Sequence, residues 1–234
     1  MDIKKWICKI GKGLLELIYP SGIYCISCKM PMDNRFPYSL CYNCIRLLQW
    51  EKRDICGDEH KFLKGFSCVK YGERERNIIH DFKYGRNPYY GEKLAELMAE
   101  RLDWGALIKC DLVAPVPMYL EKEKDRGYNQ ADLLGSHLAG YLQKTYIKNI
   151  LVRKVNTPPM SHLSPEERRS NVKNVFEVDE KKKHRVYGKN ILLVDDVFTT
   201  GSTVDECSKV LMEAGATGVF VVTFSSVHRN CGLG

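Results

Sequence analysis

The run Ile191-Leu192-Leu193-Val194-Asp195-Asp196-Val197-Phe198-Thr199-Thr200-Gly201-Ser202-Thr203 leads from an apolar strand through two adjacent carboxylates into a hydroxyl-rich loop and a helix start. Four consecutive apolar residues ending in acids are the pattern of a strand covered on both faces, as in a parallel sheet. Open α/β sheets bind ligands beyond the carboxyl ends of their strands, which is where the acids and the loop fall. Backbone N–H groups of Thr199–Thr203 would line a concavity, Gly201 would allow close approach, and the hydroxyls of Thr199, Thr200, Ser202 and Thr203 would add donors. A phosphate monoester suits such a loop at a helix N-terminus. Asp195 and Asp196, one step back, are placed to accept hydrogen bonds from vicinal hydroxyls of a sugar carrying that phosphate. A nucleotide hydrolase would need Gly-x4-Gly-Lys-[Ser/Thr], which the chain lacks. A phospho-acceptor receiver places its paired acids after its first strand rather than its fourth, and a solvated Asp-Asp turn is the bland alternative.

Outward from this run, strands alternate with helical stretches from Phe66 onward, the rhythm of βα units. The pattern predicts strands at Phe66–Tyr71, Asp111–Pro115, near Ile150–Val152, at Asn190–Val194 and at Gly218–Phe224. It predicts helices over Glu75–Lys83, Gly91–Leu102, about Asn129–Gln143 and Ser202–Ala214, and one starting at Ser164. That last start has an N-cap serine, Pro165 at the first helical position and the early acids Glu166 and Glu167. A proline-stiffened loop is expected over Asn156–Ser164, and a hairpin with a basic, solvated tip over Val175–Tyr187.

Of the ten cysteines, four stand as Cys25-x2-Cys28 and Cys41-x2-Cys44. Two such knuckles supply four thiolates to a tetrahedral ion, so a structural Zn²⁺ with no open position is predicted in a turn-rich module ending near Glu59. Met1–Ile18 carries Ile3, Ile7, Ile10, Leu14 and Leu17 at helical spacing. Lys9, Lys12 and Glu16 interrupt any secretory apolar core, so an amphipathic helix and a cytoplasmic protein are expected. The domains expected are residues 1–60 for helix and metal module, and 65–234 for the α/β domain. The sequence has no run of 18–20 apolar residues of the kind a membrane-spanning helix needs. The 36 basic and 29 acidic residues leave a net charge of +7, which admits nucleic acid or a phosphorylated metabolite as partner without requiring either.

The thirteen-residue run resembles the phosphoribosyl-pyrophosphate motif of type I phosphoribosyltransferases, and the chain as a whole resembles the ComF/GntX family. The likeness rests on the four-cysteine module, Ile79-His80-Asp81-Phe82-Lys83-Tyr84-Gly85, Pro115-Val116-Pro117, Arg126-Gly127-Tyr128-Asn129-Gln130-Ala131, Thr157 through Arg169, and Asn171. The chain departs from the family in having Arg53 beside Cys56 where a second cysteine pair is frequent, and Met160 where glutamine is usual. The resemblance implies a type I phosphoribosyltransferase-like parallel sheet with a hood, and a cleft over Asp195–Thr203, Val197 and Phe198 included. The loop after Val116 would face pyrophosphate, and Thr157–Arg169 would be a mobile cover. It implies phosphoribosyl pyrophosphate with Mg²⁺ as ligand, Asp195 and Asp196 as the residues holding the ribose during transfer, and Arg126, Arg169 and Lys83 as cations for the phosphates. A role in DNA uptake and natural competence is implied too. The alternative is a single-stranded-DNA-binding competence factor, acting with other competence proteins, that uses exposed aromatics such as Tyr84, Tyr89 and Tyr90 and takes phosphoribosyl pyrophosphate only as a regulatory ligand.

Overall fold

The computed structural model describes residues 23–33, 36–55, 60–101, 105, 109–157 and 164–227. The expected helix over Met1–Ile18 and the Pro158–Leu163 part of the expected cover lie outside them. The chain divides into two compact units, Met1–Leu47 and Leu48–Gly234.

In the first unit a bridge between Tyr24 and Pro31 closes a tight turn. Cys25 N–H donates to the Met30 carbonyl and Lys29 N–H to the Cys25 carbonyl, both at 2.9 Å. A short 3-10 turn at Pro37–Ser39 then leads to helix α1, Tyr42–Leu47.

The second unit is built on a six-stranded sheet ordered β1-β2-β8-β7-β3-β4. Its strands are β1 (Trp50–Ile55), β2 (Lys64–Lys70), β3 (Leu112–Pro115), β4 (Thr145–Tyr146), β7 (Asn190–Phe198) and β8 (Gly218–Ser226). Only β1 runs antiparallel to its neighbour. All nine residues of β8 are buried, as are Ile191–Val194 of β7, so the apolar runs lie mid-sheet with both faces covered. The expected α/β class with a parallel sheet is what the chain forms.

Helices α2 (Glu73–Tyr84), α3 (Tyr89–Arg101), α4 (Leu120–Arg126), α5 (Gln130–Tyr141), α6 (Pro165–Val172) and α7 (Ser202–Glu213) connect the strands. Their boundaries are chemically marked. Asn129 Oδ1 accepts from Ala131 N–H at the start of α5. Ser164 and Glu167 form the reciprocal capping box of α6. Gly127, at φ +87°, closes α4 in a left-handed conformation.

The expected hairpin over Val175–Tyr187 is a correction. Only Phe176–Val178 is a strand there, β6, and it pairs antiparallel with β5 (Leu151–Arg153) in a separate two-stranded sheet. The basic run instead folds into turns: Lys183–Arg185 is a 3-10 turn, and Lys182 Nζ donates to the carbonyls of Lys148 and Asn149 at 2.9 and 3.1 Å. Those contacts hold the segment against the residues preceding β5, where a returning strand would have to leave it.

Candidate functional site

The chain leaves β3 toward β4 on one side of the sheet and leaves β7 toward β8 on the other, while β3 and β7 are neighbours. The carboxyl ends of β3 and β7 therefore flank the point where the strand order reverses, the place a parallel sheet opens a crevice. β7 runs through the acidic pair, so Asp195 and Asp196 project from the strand itself to alternate faces.

Asp196 is buried at 8% exposure, and Lys83 Nζ, from the last turn of α2, lies 2.9 Å from its Oδ2. Burial opposes the Lys83 charge, but the Asp196 carboxylate prevails and raises its pKa. Asp195 behaves differently. Burial, reinforced by the neighbouring Asp196 charge, pushes its carboxyl up to about 7, against the opposing pull of the Asp196 N–H, Lys83 and Arg153. A desolvated acid beside a second acid is a common signature of a binding site.

Beyond β7 the chain turns at Gly201, φ +79°, and α7 begins. Thr200 Oγ1 and Ser202 Oγ share a hydrogen bond of 2.8 Å, and Ser202 N–H points at Thr200 Oγ1 at 3.4 Å. Two hydroxyls and the first amides of a twelve-residue helix thus gather at one turn, the donor arrangement an oxyanion takes.

Arg126 donates to Gln130 Oε1 at 3.1 Å and stacks over Tyr84, its Cζ 5.1 Å from the ring centroid. Lys122 donates to the Thr157 carbonyl at 2.8 Å, and Arg153 donates to the Thr157 hydroxyl. Burial lowers the Lys122 pKa, and Arg153 and Arg126 lower it further. Burial also lowers that of Arg153, against Cys207 and Asp195. Three cations close enough to oppose one another form no ion pair with a carboxylate among the described residues.

The motif around Arg126 is largely scaffolding for this edge. Asn129 Nδ2 donates to the Val116 carbonyl at 2.9 Å, while Tyr128 Oη and Gln130 Nε2 donate to the Phe82 carbonyl at 2.7 and 3.2 Å. These bonds tie the loop after β3 and the end of α2 to the start of α5. Arg169 is exposed on α6. It shares with Lys61, Ser202, Asp205 and Lys209 a cavity of about 200 Å³. Of the three tyrosines that the DNA-binding alternative needs exposed, Tyr84 is 61% exposed, whereas Tyr90 is buried, its ring 6.5 Å from that of Phe82.

In the first unit the four expected ligand sulfurs, of Cys25, Cys28, Cys41 and Cys44, lie within 4.8 Å of one another. Cys28 and Cys41 Sγ are 3.8 Å apart, and a tetrahedral ion with sulfur at ~2.3 Å sets that edge at about 3.8 Å. Burial pushes the Cys44 thiol up to about 12. Burial works the same way on Cys25, but N–H groups of Cys28, Cys41 and Ser27 outweigh it and bring it to about 7. The cluster fits one thiophilic cation such as zinc, with no position left for water.

Against known proteins, no family model matches the chain. It is 33% identical over 207 residues to Competence protein F of Haemophilus influenzae, covering 84% of this chain and 87% of that protein. The chain belongs to the ComF family. Another ComF relative is the DNA utilization protein YhgH of Escherichia coli K12, 28% identical over 219 residues, covering 84% of this chain and 94% of that one. Among solved structures, glutamine phosphoribosylpyrophosphate amidotransferase from B. subtilis, complexed with ADP and GMP, superposes with a TM-score of 0.41 at 18% identity. That match covers 61% of this ComF chain and 30% of the amidotransferase.

Sequence reading missed Lys122 and Arg153 in this ComF site. Lys122 carried a usable signal, five residues after Pro117 in the loop assigned to pyrophosphate. Arg153 carried none, because its place beside Asp195 depends on β5 pairing with β6.

Proposed function

We propose that this chain binds phosphoribosyl pyrophosphate in the crevice between the ends of β3 and β7. The observation that carries the reading is one juxtaposition: Asp195 and Asp196 one loop away from the Gly201 turn, with Lys122, Arg126 and Arg153 gathered and forming no close ion pair with a carboxylate among the described residues. The turn of Thr199–Thr203 takes the 5′-phosphate, the acids accept from the ribose hydroxyls, and the cations face the pyrophosphate. Mg²⁺, for which the two carboxylates and the ligand's own oxygens are suitable hard donors, would neutralise charge on the pyrophosphate. In a transfer reaction C1′ becomes oxocarbenium-like as pyrophosphate departs. The chain's own part is to hold the ribose and stabilise the leaving charge, so little proton movement is asked of it. The acceptor would be a nitrogen nucleophile. The chain's likeness to a competence protein and a DNA utilization protein supports a place in DNA uptake and competence. The described cysteines form no disulfide with one another, which suits the reducing cytoplasm.

A second reading, favoured by one observation, makes the ligand regulatory and the working partner single-stranded DNA. Exposed Tyr84 has Arg126 over its ring and His80 5.1 Å away, a platform on which a base could stack. One titration separates the readings. Phosphoribosyl pyrophosphate with Mg²⁺ should bind the wild-type chain and bind Asp196→Ala at least tenfold more weakly (about 1.4 kcal/mol). Unchanged affinity in the variant defeats the site assignment. Pyrophosphate release with added nitrogen bases supports transfer. Salt-sensitive oligonucleotide binding that survives Asp196→Ala and falls with Tyr84→Ala supports the second reading.

A further inference from the structure

Gly201 does more than supply a left-handed turn. A methyl carbon placed on it would lie 2.6 Å from Cε1 and 3.0 Å from Nδ1 of His60, and 2.9 Å from Cζ of Phe198. The imidazole therefore packs directly on the back of the turn where the phosphate would sit. His60 comes from the connection between β1 and β2, 145 residues from its hydrogen-bonding partner Asp205. Its Nδ1 lies 2.9 and 3.1 Å from the two carboxylate oxygens of Asp205, which belongs to the first turns of α7. Lys61 N–H donates to the same carboxylate at 3.0 Å. The ring is also held by aromatics: it stacks on Phe62 at 4.8 Å and meets the edge of Phe198 at 5.6 Å.

We infer that His60 is a positioning residue for the phosphate-holding turn, clamping Gly201 against the start of α7 through Asp205. The inference rests on the reading that this turn takes a sugar phosphate. The turn is a run of small residues between a strand and a helix. Ordering it only when ligand arrives would weaken binding, whereas a ring fixed on its back keeps the amides and hydroxyls of Thr199–Ser202 aimed beforehand. The clamp is local to the phosphate end. Lys122, Arg126 and Arg153 at the other end have no hydrogen bond to His60 or Asp205 among the described residues.

Calorimetry on the full chain with two probes tests this: ribose 5-phosphate alone, and pyrophosphate with Mg²⁺. His60→Ala should weaken ribose 5-phosphate about tenfold and leave pyrophosphate unchanged. His60→Asn, whose amide N–H can still donate to Asp205, should recover most of the loss. Hydrogen exchange at Thr199–Ser202 should speed up in the Ala variant. Where His60→Ala does not fold, Asp205→Asn should give the same split. An unchanged ribose 5-phosphate affinity, an equal loss for both probes, or an Asn variant no better than Ala overturns the inference. If wild type binds neither probe, the sugar-phosphate reading itself fails and the clamp falls with it, a result distinct from the other three.

Discussion

Asp195 is an acid in a place that resists its ionisation. Burial first, and Asp196 second, raise its pKa to about 7 in the folded chain from an ordinary value near 3.8. Between those two values the folded state binds the proton and the unfolded state has lost it. Stability therefore declines as pH climbs from about 4 to about 7 and is flat above that range. Asp195→Asn removes the charge that the folded state disfavours. It should stabilise the ligand-free protein by about 1–3 kcal/mol at pH 8, raising Tm by several degrees, and by roughly half as much or less at pH 5, partway through the window. Scanning calorimetry at the two pH values checks it, and equal gains at both would show that burial of the charge is not the cause. The same substitution should weaken ribose binding, because a carboxylate accepting from two hydroxyls is replaced by half an acceptor. A charge held at a cost in stability is the pattern of a functional site.

At the scale of elements, Asn129 joins two of them with one side chain. Its oxygen caps α5 and its amide nitrogen holds the Val116 carbonyl of the loop after β3. Asn129→Ala loses the cap and leaves a buried carbonyl without its donor, for about 2 kcal/mol and a fall in Tm of roughly 5 °C. Pyrophosphate affinity should fall with it, since that loop carries α4 and its cations. Thermal unfolding within a degree of wild type would mean that the loop holds its place by other means. Strand β7, helix α7 and the α6 capping box were legible because each is written locally: an apolar run, a hydroxyl-and-glycine start, a Ser-Pro-Glu-Glu signal. Helix α4 was not, since Leu120–Arg126 buries no residue and so has no apolar stripe to read. The hairpin misreading has the related cause that alternation reveals which face a residue takes but not which strand it pairs with. The partner of Phe176–Val178 lies at Leu151–Arg153, and that pairing also brings Arg153 toward Asp195. His60 was invisible for the same reason, a lone histidine in a connection whose partner is 145 residues away.

Over the whole molecule, the two units stand on different physics. The unit from Leu48 has a continuous apolar core around β7 and β8, with Ile191, Leu193, Val219 and Val221 fully buried. The unit up to Leu47 has few buried apolar side chains among its described residues, chiefly Ile26, Tyr38 and Leu40. Among the described residues too little area is removed from water there to offset the ordering of that stretch of chain. Four sulfurs within 4.8 Å can supply what is missing, since a metal held by four thiolates contributes on the order of 10 kcal/mol to folding. Stripping the metal with a strong chelator should therefore unfold one unit and spare the other. Elemental analysis should find about one zinc per chain before treatment. Afterwards the Cys25, Cys28, Cys41 and Cys44 thiols should react rapidly with a thiol reagent, and amides of residues 25–44 should lose protection from hydrogen exchange. Amides of β7 and β8 should keep theirs, and ribose 5-phosphate should bind as before, because its turn depends on contacts within the second unit. Protection that persists across residues 25–44 after the metal is gone would mean that the small unit folds on its own packing, and the ion would then be a passenger.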